Sequence, residues 1–168
     1  MAQTADQNAF TEINGWKIFL HPAFREPYDT LVAEVARLKK ASPEAYATHP
    51  KAKLLKRISD LILKEIPTDP NAAEYQLGNT MGAAHRHWRR AKFLQRFRLF
   101  YRFDSKSKVI IYAWVNDENS LRQRGARTDP YEIFKTRLAS GDPPTGWEDL
   151  LADVRHVSTQ RSDARKKK

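Results

Sequence analysis

Val109-Ile110-Ile111-Tyr112-Ala113-Trp114-Val115 carries an apolar or aromatic side chain at every position. A strand sends successive side chains to opposite faces, so this run needs cover on both. It predicts an interior strand, 108–116, and a chain that supplies layers to either side of it. The segment before it alternates instead. Over residues 97–104, Arg98, Phe100 and Arg102 share a face with Arg96, while Phe97, Leu99, Tyr101 and Phe103 share the other. Ser105-Lys106-Ser107 is the turn between the two, and a further strand is expected at 85–94, completing a three-strand meander.

Upstream, residues 15–20 read as a first strand stopped by His21-Pro22. Tyr28, Leu31, Val32, Val35 and Leu38 recur at helical spacing, which predicts a helix over 27–40 with Pro27 in its first turn. A second helix is expected from Lys51 on the stripe Leu54, Leu55, Ile58, Leu61 and Ile62, ending at Pro67-Thr68-Asp69-Pro70-Asn71. Downstream, Asp129-Pro130-Tyr131-Glu132 is a helix start, Gly141-Asp142-Pro143-Pro144 its stop, and Thr145-Gly146-Trp147-Glu148 opens a short last helix with Leu150, Leu151 and Val154. The order predicts an α+β fold with two N-terminal helices and C-terminal helices packed on an antiparallel sheet. One domain is expected over 12–155, between a flexible N-terminus, 1–11, and a basic flexible tail, 156–168.

Between Met81 and Phe103 the chain has seven lysines and arginines, two histidines and no acidic residue. Like charges on neighbouring strands repel, so an unmixed basic face costs stability and points to an anionic ligand. With a formal net charge of +10, the whole molecule favours polyanions. RNA is the leading partner expected, on a face that includes Arg86, Arg90, Lys92, Arg96, Arg98 and Arg102. Arg122, Arg124 and Arg127 extend that surface, and the basic second helix offers a secondary one. Trp88 and Phe100 are candidates for stacking on bases, whereas Trp114 is better suited to core packing. Asn116-Asp117-Glu118 reads equally as polar groups beside the working face or as an ordinary turn.

On a strand, His85 and His87 would share a face and suit a metal or proton transfer. No third ligand stands nearby, so no metal and no cofactor are expected. The absence of cysteine excludes disulfides, thiolate zinc sites and cysteine nucleophiles. The N-terminus lacks the pattern of a signal peptide and no apolar run is long enough to span a bilayer, so a cytoplasmic protein without membrane contact is expected.

Several blocks also resemble a known family. They are Gly15-Trp16 through His21-Pro22-x-Phe24, Tyr46-x-x-His49-Pro50-x-x-Lys53-Leu54-Leu55, Ile66-Pro67-x-Asp69-Pro70, Leu77-Gly78-Asn79-Thr80 and His87-Trp88-Arg89-Arg90-Ala91-Lys92-Phe93. With Arg96-x-Arg98-Leu99-Phe100-x-Arg102-Phe103 and 110–118, they are similar to the YhaV toxins of bacterial type II toxin-antitoxin systems. The resemblance implies a RelE-like fold, ribonuclease activity on mRNA at the translating ribosome, and neutralisation by a PrlF-type, AbrB-like antitoxin. It matches Arg89, Arg90 and Lys92 to the basic positions of the first meander strand and Arg98 to that of the second. Where the superfamily often has an arginine, histidine or tyrosine after the third strand, this chain has Asn116-Asp117-Glu118, with Arg122 and Arg124 beyond.

The implied reaction is metal-independent attack of the ribose 2′-hydroxyl on the adjacent phosphate. Arg98 and Arg89, with Arg90 or Lys92, would stabilise the phosphoryl oxygens, and His85, His87 or Glu118 would serve as base or acid. Asn116 and Asp117 would join the RNA-binding surface. The rivals are an RNA- or DNA-binding module without chemistry and a ParE-like toxin that inhibits gyrase.

Overall fold

The computed structural model describes residues 9–155. Every residue of the apolar run is buried, and it forms β5 (Val109–Val115) in the middle of a five-stranded sheet. The strand order is β1-β2-β5-β4-β3, with β1 at Thr11–Ile13, β2 at Trp16–Leu20, β3 at Arg89–Phe93 and β4 at Phe97–Asp104. The class is the α+β expected and compatible with a RelE-like fold. One pairing departs from the antiparallel sheet read from the sequence: β2 lies parallel to β5, while β4 lies antiparallel on its other side. A parallel pair needs a crossover, and the chain between the two strands supplies it with α1 (Pro22–Ala41), α2 (Pro50–Asp60) and the β3–β4 hairpin.

Both faces of the sheet are covered. Ile18, Leu99, Tyr101 and Tyr112 pack toward α1 and α2. Phe19, Phe100, Ile111 and Trp114 pack on the other side with Tyr131, Phe134 and Leu138 of α3 (Pro130–Ser140), and with Leu150, Leu151 and Val154 of the last helix, α4, at 147–155. The second core alters the reading of the arginine face. Phe100 is fully buried there, stacked on Phe134 at 4.2 Å between ring centres, so this face is partly interior. A register shift against β5 at Phe100/Tyr101 turns Trp114 to the same side, where it stacks on Phe134 at 5.8 Å. Trp114 is therefore core, as its sequence suggested, and neither Phe100 nor Trp88, which is equally buried against Phe134, is a stacking platform for bases.

α1 starts earlier than its periodicity indicated. α1 begins at Pro22 because the His21 ring caps it, Nδ1 accepting from the amide of Ala23 at 3.1 Å, and Pro27 lies inside the helix. His49 repeats the device at α2, accepting from the Lys51 amide at 3.1 Å with Pro50 next in line. After Asp60 the backbone widens into a π turn, Leu61–Glu65, and then tightens into Ile66–Thr68. β3 starts at Arg89 instead of residue 85, since Ala83–His85 form a 3-10 turn after Gly82 at φ 90°. Thr11 opens β1. Residues 1–8 and 156–168, read as flexible ends, lie outside the described residues. Among the described residues no helix is long and apolar enough to cross a membrane.

Candidate functional site

β3 and β4 are paired so that Arg90 stands opposite Phe100 and Lys92 opposite Arg98. Arg90, Lys92 and Arg98 consequently project from one face. The N-terminus of α3 closes over them with Asp129 and Tyr131, enclosing a cavity of about 570 Å3 that Arg122 and Arg124 also line. Arg90 and Arg98 are each only 7% exposed, and both donate to the Tyr131 hydroxyl oxygen, from Nη1 and Nε respectively, each at 3.1 Å. Both lone pairs of that oxygen are thereby used, so the Tyr131 O–H itself can only donate. Arg122 lies 4.8 Å from the centre of the Tyr131 ring and donates to Asp129 Oδ1 at 2.6 Å, while Asp129 Oδ2 caps α3 through the Tyr131 amide at 3.1 Å.

The backbone holds Arg98 from the other side. Its Nη1 donates to the carbonyls of Gln95 at 2.9 Å and Phe97 at 2.8 Å. Leu94 and Gln95 form the hairpin turn at φ 44° and 65°, a conformation unfavourable by about 1–2 kcal/mol per L-residue. Asn116 is 3% exposed: its Oδ1 accepts from the Arg98 amide at 2.7 Å, and its Nδ2 donates to the Ser120 carbonyl at 2.7 Å and to that of Arg96 at 3.2 Å. Asn116 is a clamp on the strand that carries Arg98, with its amide committed inside the protein.

What distinguishes these cations is their partners. Arg57, Lys56, Lys51 and Lys64 pair with carboxylates, whereas among the described residues Arg86, Arg89, Arg90, Lys92, Arg98 and Arg102 have none. The five arginines are fixed by carbonyls, amides and hydroxyls, which orient a guanidinium without neutralising it. Arg102, for example, donates to the Thr145 carbonyl at 2.8 Å with Trp88 and Trp147 on either side, 5.9 and 5.5 Å from the ring centres. Burial, and after it the charge of Arg89, lower its pKa from the ordinary arginine value.

Other residues singled out from the sequence lie elsewhere. Arg89 projects from the opposite face of β3 to Arg90, 5.5 Å from the Phe103 ring centre, and does not line the Arg98 cavity. His85 and His87 are not on a strand, and neither lines that cavity. Their rings are 6.5 Å apart, and His87 Nε2 meets Thr145 Oγ1 at 3.1 Å. Asp117 and Glu118 line a groove against α1 and α2, where Asp117 Oδ1 accepts from the Asn119 amide at 2.9 Å in a local turn. Arg96 donates to the Arg122 carbonyl at 3.1 Å and so ties the β3–β4 turn to the loop after β5. Tyr131 and Asp129 were legible only as part of a helix start. Among the described residues no three histidine or carboxylate side chains gather to hold a metal ion.

A family model described as "Toxin with endonuclease activity, of toxin-antitoxin system", Toxin_YhaV, matches residues 18–155. The chain is 43% identical over 144 residues to "Ribonuclease toxin YhaV" of Escherichia coli K12, covering 84% of this chain and 94% of that protein. It has the same identity and coverage with "Toxin YhaV" of Escherichia coli O6:H1 and of O157:H7. No solved structure matches the chain.

Proposed function

The chain belongs to the YhaV family of toxins with endonuclease activity, and from that premise we propose that it is an mRNA endoribonuclease whose reaction occurs in the cavity between β3, β4 and α3. The observation that carries this reading is the Arg90–Tyr131–Arg98 arrangement, two uncompensated guanidinium groups on one phenol oxygen. A phosphate entering the cavity meets preorganised donors that strengthen as charge builds on its oxygens, which is where such donors accelerate a reaction most.

The ribose 2′-hydroxyl attacks the adjacent phosphorus, the bond to the 5′-oxygen breaks, and a 2′,3′-cyclic phosphate remains on the upstream fragment. Lys92, Asp129, Tyr131 and Glu132 are the lining groups that can carry a proton; Asp129 is committed to Arg122 and the cap of α3, and Lys92 serves as a cation for the phosphate. Tyr131 then protonates the departing 5′-oxygen, and Glu132, an exposed carboxylate that also meets Lys135 Nζ at 3.3 Å, accepts the 2′-hydroxyl proton. His85, His87 and Glu118, favoured from sequence for these roles, stand outside the cavity. The nucleophile is supplied by the RNA, so the reaction requires no metal. Messages on translating ribosomes are the proposed substrate. A PrlF-type antitoxin neutralises the toxin by laying acidic side chains over the basic face.

Cleavage of a susceptible free RNA in EDTA tests the chemistry. It should continue, and a single 2′-deoxy nucleotide 5′ of the cut should stop it. A free 3′-hydroxyl on the upstream product would overturn the mechanism.

A further inference from the structure

Resting on the reading of this protein as an RNA-cleaving toxin, we propose that Arg86 and Arg89 form a second phosphate subsite, which holds a phosphate of the same RNA strand other than the one being cut. They line a separate cavity of about 320 Å3 with Gln76, Leu77 and Gly78. β3 is the edge strand of the sheet, and Gln76 pairs with Arg89 along its outer side. Successive strand residues face opposite ways, so Arg89 and Arg90 deliver their charges to the two sides of this edge. The Gln76 carbonyl also accepts from Arg90 Nη2 at 3.0 Å, and Thr80, four residues on, lines the Arg98 cavity. The 76–80 segment is thus a ridge with a basic cavity on each flank, and a single strand crossing it has guanidinium groups waiting on both.

The second cavity is built as the first is. Arg89 Nη2 donates to Asn71 Oδ1 at 3.2 Å and Nη1 to the Arg86 carbonyl at 3.1 Å, while Arg86 Nε donates to Asn79 Oδ1 at 2.8 Å. All three acceptors are neutral, so two positive charges are aimed without being cancelled. A phosphodiester satisfies both with charge-assisted bonds.

The test is binding of the full chain to 2′-methoxy oligoribonucleotides, which lack the nucleophile, from a dinucleotide upward and over a range of salt. Affinity should step up at the length that first reaches the second cavity. The dependence of log affinity on log salt should steepen there by about 0.7, the contribution of one single-strand phosphate. Arg86→Gln/Arg89→Gln, which retains polar side chains and removes the charges, should abolish the step. Arg86→Gln alone, at an exposed side chain, should shrink it and keeps the test decisive if the double variant folds poorly.

A folded double variant that retains the full step overturns the subsite, as does the absence of any step in the parent chain. Loss of antitoxin binding with the RNA step intact overturns it in favour of a protein contact. Arg98→Ala should lose cleavage and keep the step. A parent chain that shows the step but cuts no RNA refutes the catalytic reading and leaves the subsite standing.

Discussion

Removing the Tyr131 hydroxyl leaves two guanidinium groups short of the same acceptor. Tyr131→Phe should therefore lower the single-turnover cleavage rate by roughly a hundredfold or more, the scale of a missing proton-transfer group, while RNA affinity changes only a few-fold. Equal affinity loss with an intact rate would make Tyr131 a positioning residue. Arg98→Lys keeps a charge but cannot reach the Tyr131 oxygen and two carbonyls at once, so kcat should fall about tenfold for each ~1.4 kcal/mol of transition-state stabilisation removed. His87 makes a separate prediction. Burial, and then the Arg102 guanidinium, hold its pKa below the ordinary 6.5. On acidification the unfolded chain takes up that proton first, so this contribution to stability is complete above pH 6.5 and declines below it. Thermal melts should show that decline, and His87→Gln should flatten it. Charge made Arg90, Lys92, Arg98, Arg122 and Arg124 legible from sequence. Tyr131 was not, because its role depends on bonds to residues 33 and 41 positions away that leave no local pattern.

At the scale of elements, His21-Pro22 and His49-Pro50 are one device used twice, a ring nitrogen capping a helix whose first residue needs no donor. Histidine is not among the strongest capping residues, which is why the periodic apolar stripe placed the α1 start at Pro27. The two caps differ in surroundings. His49 is exposed, whereas His21 is 2% exposed and its Nε2 also meets Asp153 Oδ2 at 3.0 Å, joining α1 to α4. His21→Ala should thus destabilise the protein by about 1 kcal/mol for the cap and more for the broken tie, lowering Tm by about 2–4 °C per kcal/mol, while His49→Ala costs the cap alone. Differential scanning calorimetry of the two variants checks the order. β4 and β5 were readable because alternation and full burial are local patterns, but the start of β3 was not, since Gly82 and the 3-10 turn after it divert the backbone through a stretch, His85 to Trp88, that carries no period of its own.

Across the whole molecule, among the described residues, the cations of β3 and β4 stand without carboxylate partners, while most of those on the helices have them. On the α1–α2 side Glu34 pairs with Lys51, Glu65 with Arg57, and Asp60 with Lys56 and Lys64. Most cations of the basic second helix that sequence offered as an extra RNA surface, Lys53 aside, are accordingly compensated by carboxylates. RNA affinity should respond strongly to salt and to substitutions on β3 and β4, while Lys56→Ala should change neither the affinity nor its salt slope; a filter-binding titration distinguishes them. The position of β2 beside β5 could not be read from sequence, because it depends on how the intervening 88-residue stretch, from Leu20 to Val109, packs as a unit.

That parallel pairing has a consequence for biosynthesis. The second strand made is completed only by the last, and the Arg98 cavity closes only when Asp129 and Tyr131 arrive on α3. A nascent chain emerging from the exit tunnel therefore holds its arginines without the scaffold that orients them, and nearly the entire polypeptide must be released before the cavity is complete. Products truncated between Val115 and Asp129 should be harmless when expressed in cells, and the delay in completing the cavity gives an antitoxin time to meet the chain before it can act.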